Sequence, residues 1–295
     1  MEFEIGQSIK TLREYLGITQ KELADGICDQ GMISRIEKGN VIPSAYLLYQ
    51  IAERFGVNIN YFIDSSVTKR HEYVQEVFEQ LRRFVREKDY ESAAEMVRHE
   101  KKNPLFATKD SRQFLLWHEG ICAYYQDGDL ERSISSMEEA LEETGTTGKS
   151  YSEREFSILN SMAAIYAEHG DNEEAIELYN RLVTQMKRHL YFTDNKVKLR
   201  VYYNYAKLLT RERQYERALE MCDLGIETCI RHQLLYLFGN LNYQKGDVLD
   251  QLGRHEEAIS WMGKAVTAFE LLHNEKFAEI VRGEILKVEE RKQEQ

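Results

Sequence analysis

From Arg70 to Arg291 apolar residues recur with a period near 3.6 between faces rich in Glu, Lys and Arg, which predicts a succession of amphipathic helices. No segment alternates apolar and polar residues between turn signals, so no strand is expected. Residues 1 to about 64 have a different texture. Gly17, Gly39, Pro43 and Gly56 close several short helical patterns there, whereas the later helices are long. The pattern predicts an all-α chain with a boundary near Ser65–Ser66.

Within the first segment, Thr19 stands three residues before Glu22 at the head of Gln20-Lys21-Glu22-Leu23-Ala24, the spacing of a capping box. The helix so begun is expected to run to about Cys28. A second short helix follows over Gln30–Lys38, started by Asp29 or Gln30, with Ile33 and Ile36 turned inward and Gly39 as its stop. Two short helices joined by a tight turn predict a helix-turn-helix. Pro43-Ser44 then opens a helix carrying Leu47, Leu48, Ile51, Ala52 and Phe55, and Tyr61-Phe62 supplies a fifth.

The pattern Ile9-Lys10-x-Leu12-Arg13, Thr19-Gln20-x-x-Leu23-Ala24, Ile33-Ser34-Arg35-Ile36-Glu37-x-Gly39 and Pro43-Ser44 resembles the DNA-binding domain of the Xre/Cro family over residues 5–63. The resemblance implies that the helix from Gln30 enters the major groove. Gln30, Gly31, Met32, Ser34 and Arg35 would then face bases or nearby phosphates, and Gln20, Lys38 and Asn40 would hold the backbone. It also implies that Arg13 and Glu37 form an internal ion pair. Gln bonds adenine bidentately and Arg bonds guanine, so these residue types suit base readout. Gly31 and Met32 are unusual on such a helix, because glycine lowers helix propensity and a thioether offers only apolar contact. The first 64 residues hold 6 Lys+Arg against 9 Asp+Glu. Few phosphates can be neutralised by one such domain, which predicts a dimer reading two half-sites of a palindromic operator.

In the remainder a turn followed by a small residue repeats five times: Lys88-Asp89 before Ala93, Gly128-Asp129 before Ser133, Gly170-Asp171 before Ala175, Arg213-Gln214 before Ala218, and Gly253-Arg254 before Ala258. The steps between the small residues are 40, 42, 43 and 40. Apolar or aromatic residues precede each turn (Phe84, Tyr124, Tyr166, Leu209, Leu249), and a second anchor follows it (Val97, Met137, Tyr179, Cys222, Met262). A small residue at that position lets the two helices of a hairpin lie close together. The units resemble tetratricopeptide repeats, with Trp117, Ala163, Ala206 and Gly246 at further positions of that pattern. Their period exceeds the usual 34, so helices or turns must be longer. Five stacked units are expected to form a right-handed superhelix with a concave face.

By that resemblance the first helix of each hairpin lines the concave face, where Asn160, Met162, Tyr166, Tyr203, Asn204, Asn240, Asn242, Tyr243 and Gln244 fall. Asn carries both a donor and an acceptor, so a ladder of them can pair with the main chain of an extended peptide. Tyr203 and Tyr243 would supply pockets between them. Packing between repeats accounts for the same residues equally well. Arg86 and Lys88, near the first turn, are placed either to meet a peptide carboxylate or to pair with Glu87 and Glu91.

Taken together, the two halves resemble the PlcR-type regulators of the peptide-sensing RNPP family of Gram-positive bacteria. The resemblance is close at Ile27-Cys28-Asp29-Gln30, Ile165-Tyr166-Ala167-Glu168, Tyr203-Asn204-Tyr205-Ala206-Lys207 and Tyr243-Gln244-Lys245-Gly246. It implies a homodimeric transcription regulator that binds double-stranded DNA and an imported short signalling peptide. Asn160 and Asn204 would clamp the peptide backbone, and Lys88, Asn240, Gln244 and Phe277 would make further contacts. The implied domains are 1–64 for DNA, 65–85 as a linker helix, and 86–295 for peptide binding and dimerisation.

Composition narrows the remaining classes. The 295 residues carry a net charge of −11 and 42% hydrophobic residues, ample for buried cores. No apolar run reaches the roughly 18 residues of a membrane span, and MEFEIGQSIK lacks the features of a signal peptide, so a cytoplasmic protein with no membrane partner is expected. Cys28, Cys122, Cys222 and Cys229 show neither disulfide nor zinc spacing and are expected to be reduced, mostly buried thiols; no metal or cofactor is expected. The chain contains no HExxH, GxSxG or phosphate-cradling glycine loop, so it is not expected to be an enzyme. Two other readings are compatible with the residues: a repeat-based interaction protein, or a DNA-binding regulator gated by a ligand other than a peptide. The charged end Glu289–Gln295 is expected to be a frayed helix terminus.

Overall fold

The computed structural model describes residues 2–64, 69–144, 151–188 and 192–293. Among them every regular element is helical, and no helix is long and apolar enough to cross a membrane. The chain divides into two compact units, Met1–Arg86 with Pro104–Phe106, and Glu87–Asn103 with Ala107–Gln295. The boundary expected near Ser65–Ser66 lies outside the described residues.

The first unit contains α1 (Glu2–Tyr15), α2 (Gln20–Ala24), α3 (Gln30–Glu37), α4 (Ala45–Phe55), α5 (Asn60–Asp64) and nearly all of α6 (Lys69–Glu87). Helix α2 starts in the capping box: Thr19 N donates to Glu22 Oε2 at 2.6 Å and Glu22 N to Thr19 Oγ1 at 3.2 Å. It ends at Ala24 rather than near Cys28, because Gly26 turns the chain with a left-handed φ of 69°. Arg54 fixes that turn by donating to the carbonyls of Glu22 and Asp25. Asp29, not Gln30, caps α3, accepting from Met32 N at 2.9 Å. Ile9, Leu23, Ile33, Ile36, Ile51 and Phe62 are almost wholly excluded from water and form the core. Each contributes about 2 kcal/mol through burial. Helix α1 lies directly on the α3 backbone, since a Cβ at Gly6 would stand 2.0 Å from Ile36 O. In α6, Val74, Val77, Phe78 and Leu81 are buried, and Tyr73 and Phe78 pack edge-on to Phe106 of the short 3-10 turn Pro104–Phe106.

The second unit runs α7 (Tyr90–Glu100), α8 (Lys109–Tyr125), α9 (Leu130–Glu143), α10 (Glu153–His169), α11 (Asn172–Arg188), α12 (Lys196–Arg211), α13 (Tyr215–Arg231), α14 (Phe238–Gln251), α15 (His255–Leu271) and α16 (Glu275–Gln293). Helices α8 to α15 pack as successive hairpins, α8 with α9, α10 with α11, α12 with α13 and α14 with α15, and α16 packs on α15. The small residues Ala93, Ser133, Ala175, Ala218 and Ala258 are all fully buried. The approach is close at Gly120, where a Cβ would meet Ser133 O at 2.7 Å, and at Gly246, where it would meet Met262 Cγ at 2.6 Å and Ala258 O at 3.0 Å. The long period has a plain origin. Helices α8, α10, α11, α13 and α15 each have 17 residues, about 26 Å, and the hairpins are joined by further connecting residues.

The turns of all five repeats share one conformation. Lys88, Gly128, Gly170, Arg213 and Gly253, each five residues before its small residue, have left-handed φ values of 63°, 69°, 109°, 57° and 73°. Asp89 and Asp129 then cap the following helices through Ser92 N and Arg132 N.

Two expectations are corrected here. Asn242 does not line a surface: it is fully buried and its Nδ2 donates to Phe238 O at 2.7 Å, because its position on α14 faces the core. Nor is the carboxy-terminal end simply frayed. Helix α16 continues to Gln293, Arg291 donates to the buried Asp250 carboxylate at 2.5 Å, and Lys292 bonds Glu256 at 2.8 Å.

Candidate functional site

The exposed side of α3 carries Gln30, Gly31 and Arg35, with Lys38 and Asn40 exposed just beyond it and Ser34 half-buried. No carboxylate among the described residues pairs with Arg35, so its guanidinium is available to a ligand. Two of the DNA-facing residues that the sequence suggested are engaged within the protein. Met32 packs against the core, which leaves it only partly exposed, and Gln20 Nε2 donates to Glu37 Oε2 at 2.9 Å. Arg13 and Glu37 do form an ion pair, at 2.6 Å between Nε and Oε1 and 3.0 Å between NH2 and Oε2. A side chain on Gly31 would crowd the capping carboxylate, because a Cβ there would stand 2.9 Å from Asp29 Oδ1.

In the second unit a cavity of about 460 Å³ opens between α10, α11, α12 and α14. Its size is that of ordinary small-molecule and peptide-end sites. Ala164 and Ala167 on α10 leave the space; Asn204, Lys207, Thr210 and Arg211 enter it from α12, and Gln244, Asp247 and Gln251 from α14. Asn204 Nδ2 donates to the buried Asn160 Oδ1 at 3.3 Å, and Gln244 Nε2 donates to Thr210 Oγ1 at 3.0 Å. Tyr179 of α11 also lines the cavity. Its hydroxyl is wholly buried beside Asn204 without a hydrogen-bond partner of ordinary geometry, and burial holds its pKa high. A buried polar group left unpaired is costly unless a ligand or water satisfies it.

Two of the peptide-contact residues suggested by sequence, Asn204 and Gln244, therefore line this cavity, and a third, Asn160, bonds Asn204 from outside it. Tyr203, Asn240 and Tyr243 lie on the same two helices. Burial raises the Tyr203 pKa, against a lowering influence of Asn240, while burial, then Asp247, pushes Tyr243 up to about 12. Lys88 and Phe277 do not line it: Lys88 is exposed on the turn before α7, and Phe277 on α16 stacks on Phe269 at 5.5 Å. Arg86 is an exposed residue of the first unit. The sequence reading missed Glu168, Lys207, Arg211, Asp247 and Gln251. Helical spacing was the available signal, since 207 and 211 follow Asn204 by three and seven residues, as 247 and 251 follow Gln244. Burial, then Glu168, raises the pKa of Tyr125, whose ring stacks on Tyr90 at 4.7 Å.

Elsewhere chemistry is sparse. Burial pushes the thiols of Cys122 and Cys222 to about 12 and that of Cys229 to about 11, which leaves them protonated and unreactive. Cys28 is half-buried instead. No group of three or more metal-binding side chains occurs among the described residues.

The fold and its two sites define a class: a helix-turn-helix unit joined to helical hairpins that line an open cavity. Residues 9–62 match the helix-turn-helix family, and residues 78–285 match the RNPP family C-terminal domain. The chain belongs to the RNPP family. It is similar to Bacillus thuringiensis PlcR solved with the peptide PapR7 and DNA, with 28% identity and a TM-score of 0.79 over 95% of this chain and 99% of that one. The apo form of the same protein matches with 27% identity and a TM-score of 0.66 over 96% and 99%. Streptococcus thermophilus ComR, solved with DNA and its signalling peptide, shares the fold at 18% identity and a TM-score of 0.67 over 96% and 99%. No curated protein sequence matches the chain.

Proposed function

We propose that this chain is a homodimeric, sequence-specific DNA-binding regulator whose second unit senses a short signalling peptide in the cytoplasm. The observation that carries this reading is the cavity: Asn204 and Gln244 enter it, Asn160 braces Asn204, and the buried Tyr179 hydroxyl lies there without a hydrogen-bond partner of ordinary geometry. Such groups bond a peptide main chain whatever its side chains are. The 28% identical PlcR, solved with a peptide and DNA, supports the same assignment of roles. In the first unit, Gln30 and Arg35 are the base readers, Ser34 and Gly31 allow close approach of the groove, and Lys38 and Asn40 meet phosphates. Met32 contributes only its exposed edge, and Gln20 reaches DNA only by leaving Glu37. Tyr203, Asn240 and Tyr243 border the peptide, with Arg86, Lys88 and Phe277 as more distant contacts. Residues 1–64 form the DNA-binding domain, 65–85 the linker and 86–295 the peptide-binding and dimerisation domain. Peptide binding shifts the conformation of the array, and the linker passes that shift to the spacing of the two reading helices; this requires that the peptide bind one conformation better than the other.

Fluorescence anisotropy of the full chain on a pool of genomic promoter duplexes, at stated salt, tests the proposal. Specific binding that changes on adding peptide extract from spent culture medium is expected. Specific binding indifferent to the extract would assign a different ligand, and absence of specific binding would assign an interaction protein.

A further inference from the structure

Among the charged side chains that line the cavity, Asp247 is a half-buried carboxylate that no cation of the described residues bonds, whereas Glu168 and Lys207 are exposed. Three carboxylates neighbour one another on α14 and α16, and two of them are paired. Asp250 accepts from Arg291 at 2.5 Å and faces His255 Nδ1 at 2.9 Å, while Glu284 lies 2.7 Å from Lys287 Nζ. The third, Asp247, is half-buried in the cavity wall and receives only a long 3.4 Å contact from Gln244 Nε2. The cavity's own cations are turned elsewhere: Arg211 bonds Ala167 O and Asn172 Oδ1, each at 2.5 Å, and Lys207 lies over the Tyr203 ring.

A half-buried carboxylate without a cation is unfavourable. Burial first, then the charges of Asp250 and Glu284, raises the Asp247 pKa, and the opposing influence of Arg291 is already committed to Asp250. A second feature of the same cavity points independently to a ligand, the wholly buried Tyr179 hydroxyl, which lies beside Asn204 without a hydrogen-bond partner of ordinary geometry. An uncharged donor would satisfy Tyr179 and could hydrogen-bond Asp247, but a cation is the group that also offsets the carboxylate's charge.

We infer that Asp247 receives a cationic group of the bound peptide, either its amino-terminal ammonium or the side chain of a Lys or Arg. The inference rests on the peptide-sensing reading and adds to it a required charge on the ligand. It makes Asp247 a specificity determinant: peptides without a cation at that position are rejected because they bury the carboxylate without a partner.

The test uses the full chain and three random heptapeptide libraries in affinity selection with mass-spectrometric readout. The first has free amino termini and no Lys or Arg, the second is Nα-acetylated and also lacks Lys and Arg, and the third is Nα-acetylated but contains them. The parent protein is expected to retain members of the first or the third at least about tenfold over the second, and the retained library identifies the source of the cation. Asp247→Asn is expected to lose that preference, with an unchanged helical spectrum and no loss of thermal stability. Equal retention of the second library, or a preference that survives Asp247→Asn, overturns the inference while leaving the peptide reading intact. Retention of none of the three overturns both.

Discussion

Arg13 and Glu37, 24 residues apart, are joined by two parallel hydrogen bonds that lock α1 to the end of α3. Only 12% of the Arg13 side chain and 2% of the Glu37 side chain is exposed. The pair is further satisfied by Gln20 on Glu37 and by Ile18 O on Arg13. Removing one partner strands the other charge in a poorly solvated place, a loss of about 3 kcal/mol. Arg13→Met and Glu37→Met should each lower the unfolding midpoint of the first unit in denaturant. The double variant should lose less than the sum of the two. Additive losses in that cycle would show that the pair contributes through packing alone.

A second prediction comes from the repeat turns. Arg213 occupies a left-handed conformation, with φ at 57°, which glycine fills at the matching position of three other repeats. A side chain with a Cβ is strained there, and glycine's greater freedom in the unfolded chain offsets part of the relief. Arg213→Gly is therefore expected to stabilise the second unit by about 0.5–1 kcal/mol. Arg213→Val should destabilise it, because branching at Cβ worsens the same clash. Thermal melts of the two variants in opposite directions would establish the point; parallel shifts would refute it.

These turns show what was legible in the sequence and what was not. Spacing alone aligned Lys88, Gly128, Gly170, Arg213 and Gly253, since a repeated hairpin needs the same turn in the same place. The cap Thr19 and the inward Ile33 and Ile36 were legible for the same reason, as each depends on neighbours within four residues. The end of α2 was misread because Gly26 was given no conformational role. The cavity was only half legible. An Asn marks a possible peptide contact by its chemistry, but Lys207 and Asp247 look like ordinary solvated charges until four helices are brought together around them. Asn242 erred in the other direction, a polar residue that tertiary packing buries against its own helix.

Asp247 gives a pH dependence with a definite sign. In the unfolded chain it titrates near its ordinary 3.8, and in the folded protein above that. Between those two values the folded state binds more protons, so stability falls as pH rises through the window. Above the folded pKa the loss is complete, and below 3.8 the group contributes no difference. Asp247→Asn should thus leave the protein more stable than the parent at pH 7, and the gain should shrink toward acid. Denaturant midpoints measured at a series of pH values give the comparison. A parent and variant that run parallel across the series would mean that Asp247 carries no penalty in the free protein.

Coupling between the two units makes the strongest demand on the proposed function. If peptide changes the affinity for DNA by some factor, saturating DNA must change the affinity for peptide by the same factor. Two variants separate the sites. Asn204→Ala removes one wall of the cavity and the bond to Asn160, and should weaken peptide binding about tenfold while peptide-free DNA binding stays as it was. Arg35→Ala should remove about 1–3 kcal/mol of DNA discrimination and leave the affinity for peptide in the absence of DNA unchanged. Titrating labelled peptide with and without a specific duplex measures the reciprocal factor directly. In Arg35→Ala that factor should fall toward one at DNA concentrations that saturate the parent, because the DNA site is no longer filled. A peptide affinity that ignores DNA in the parent chain, beside a DNA affinity that responds to peptide, would violate the linkage and would mean that the peptide acts on something other than this protein's own equilibrium.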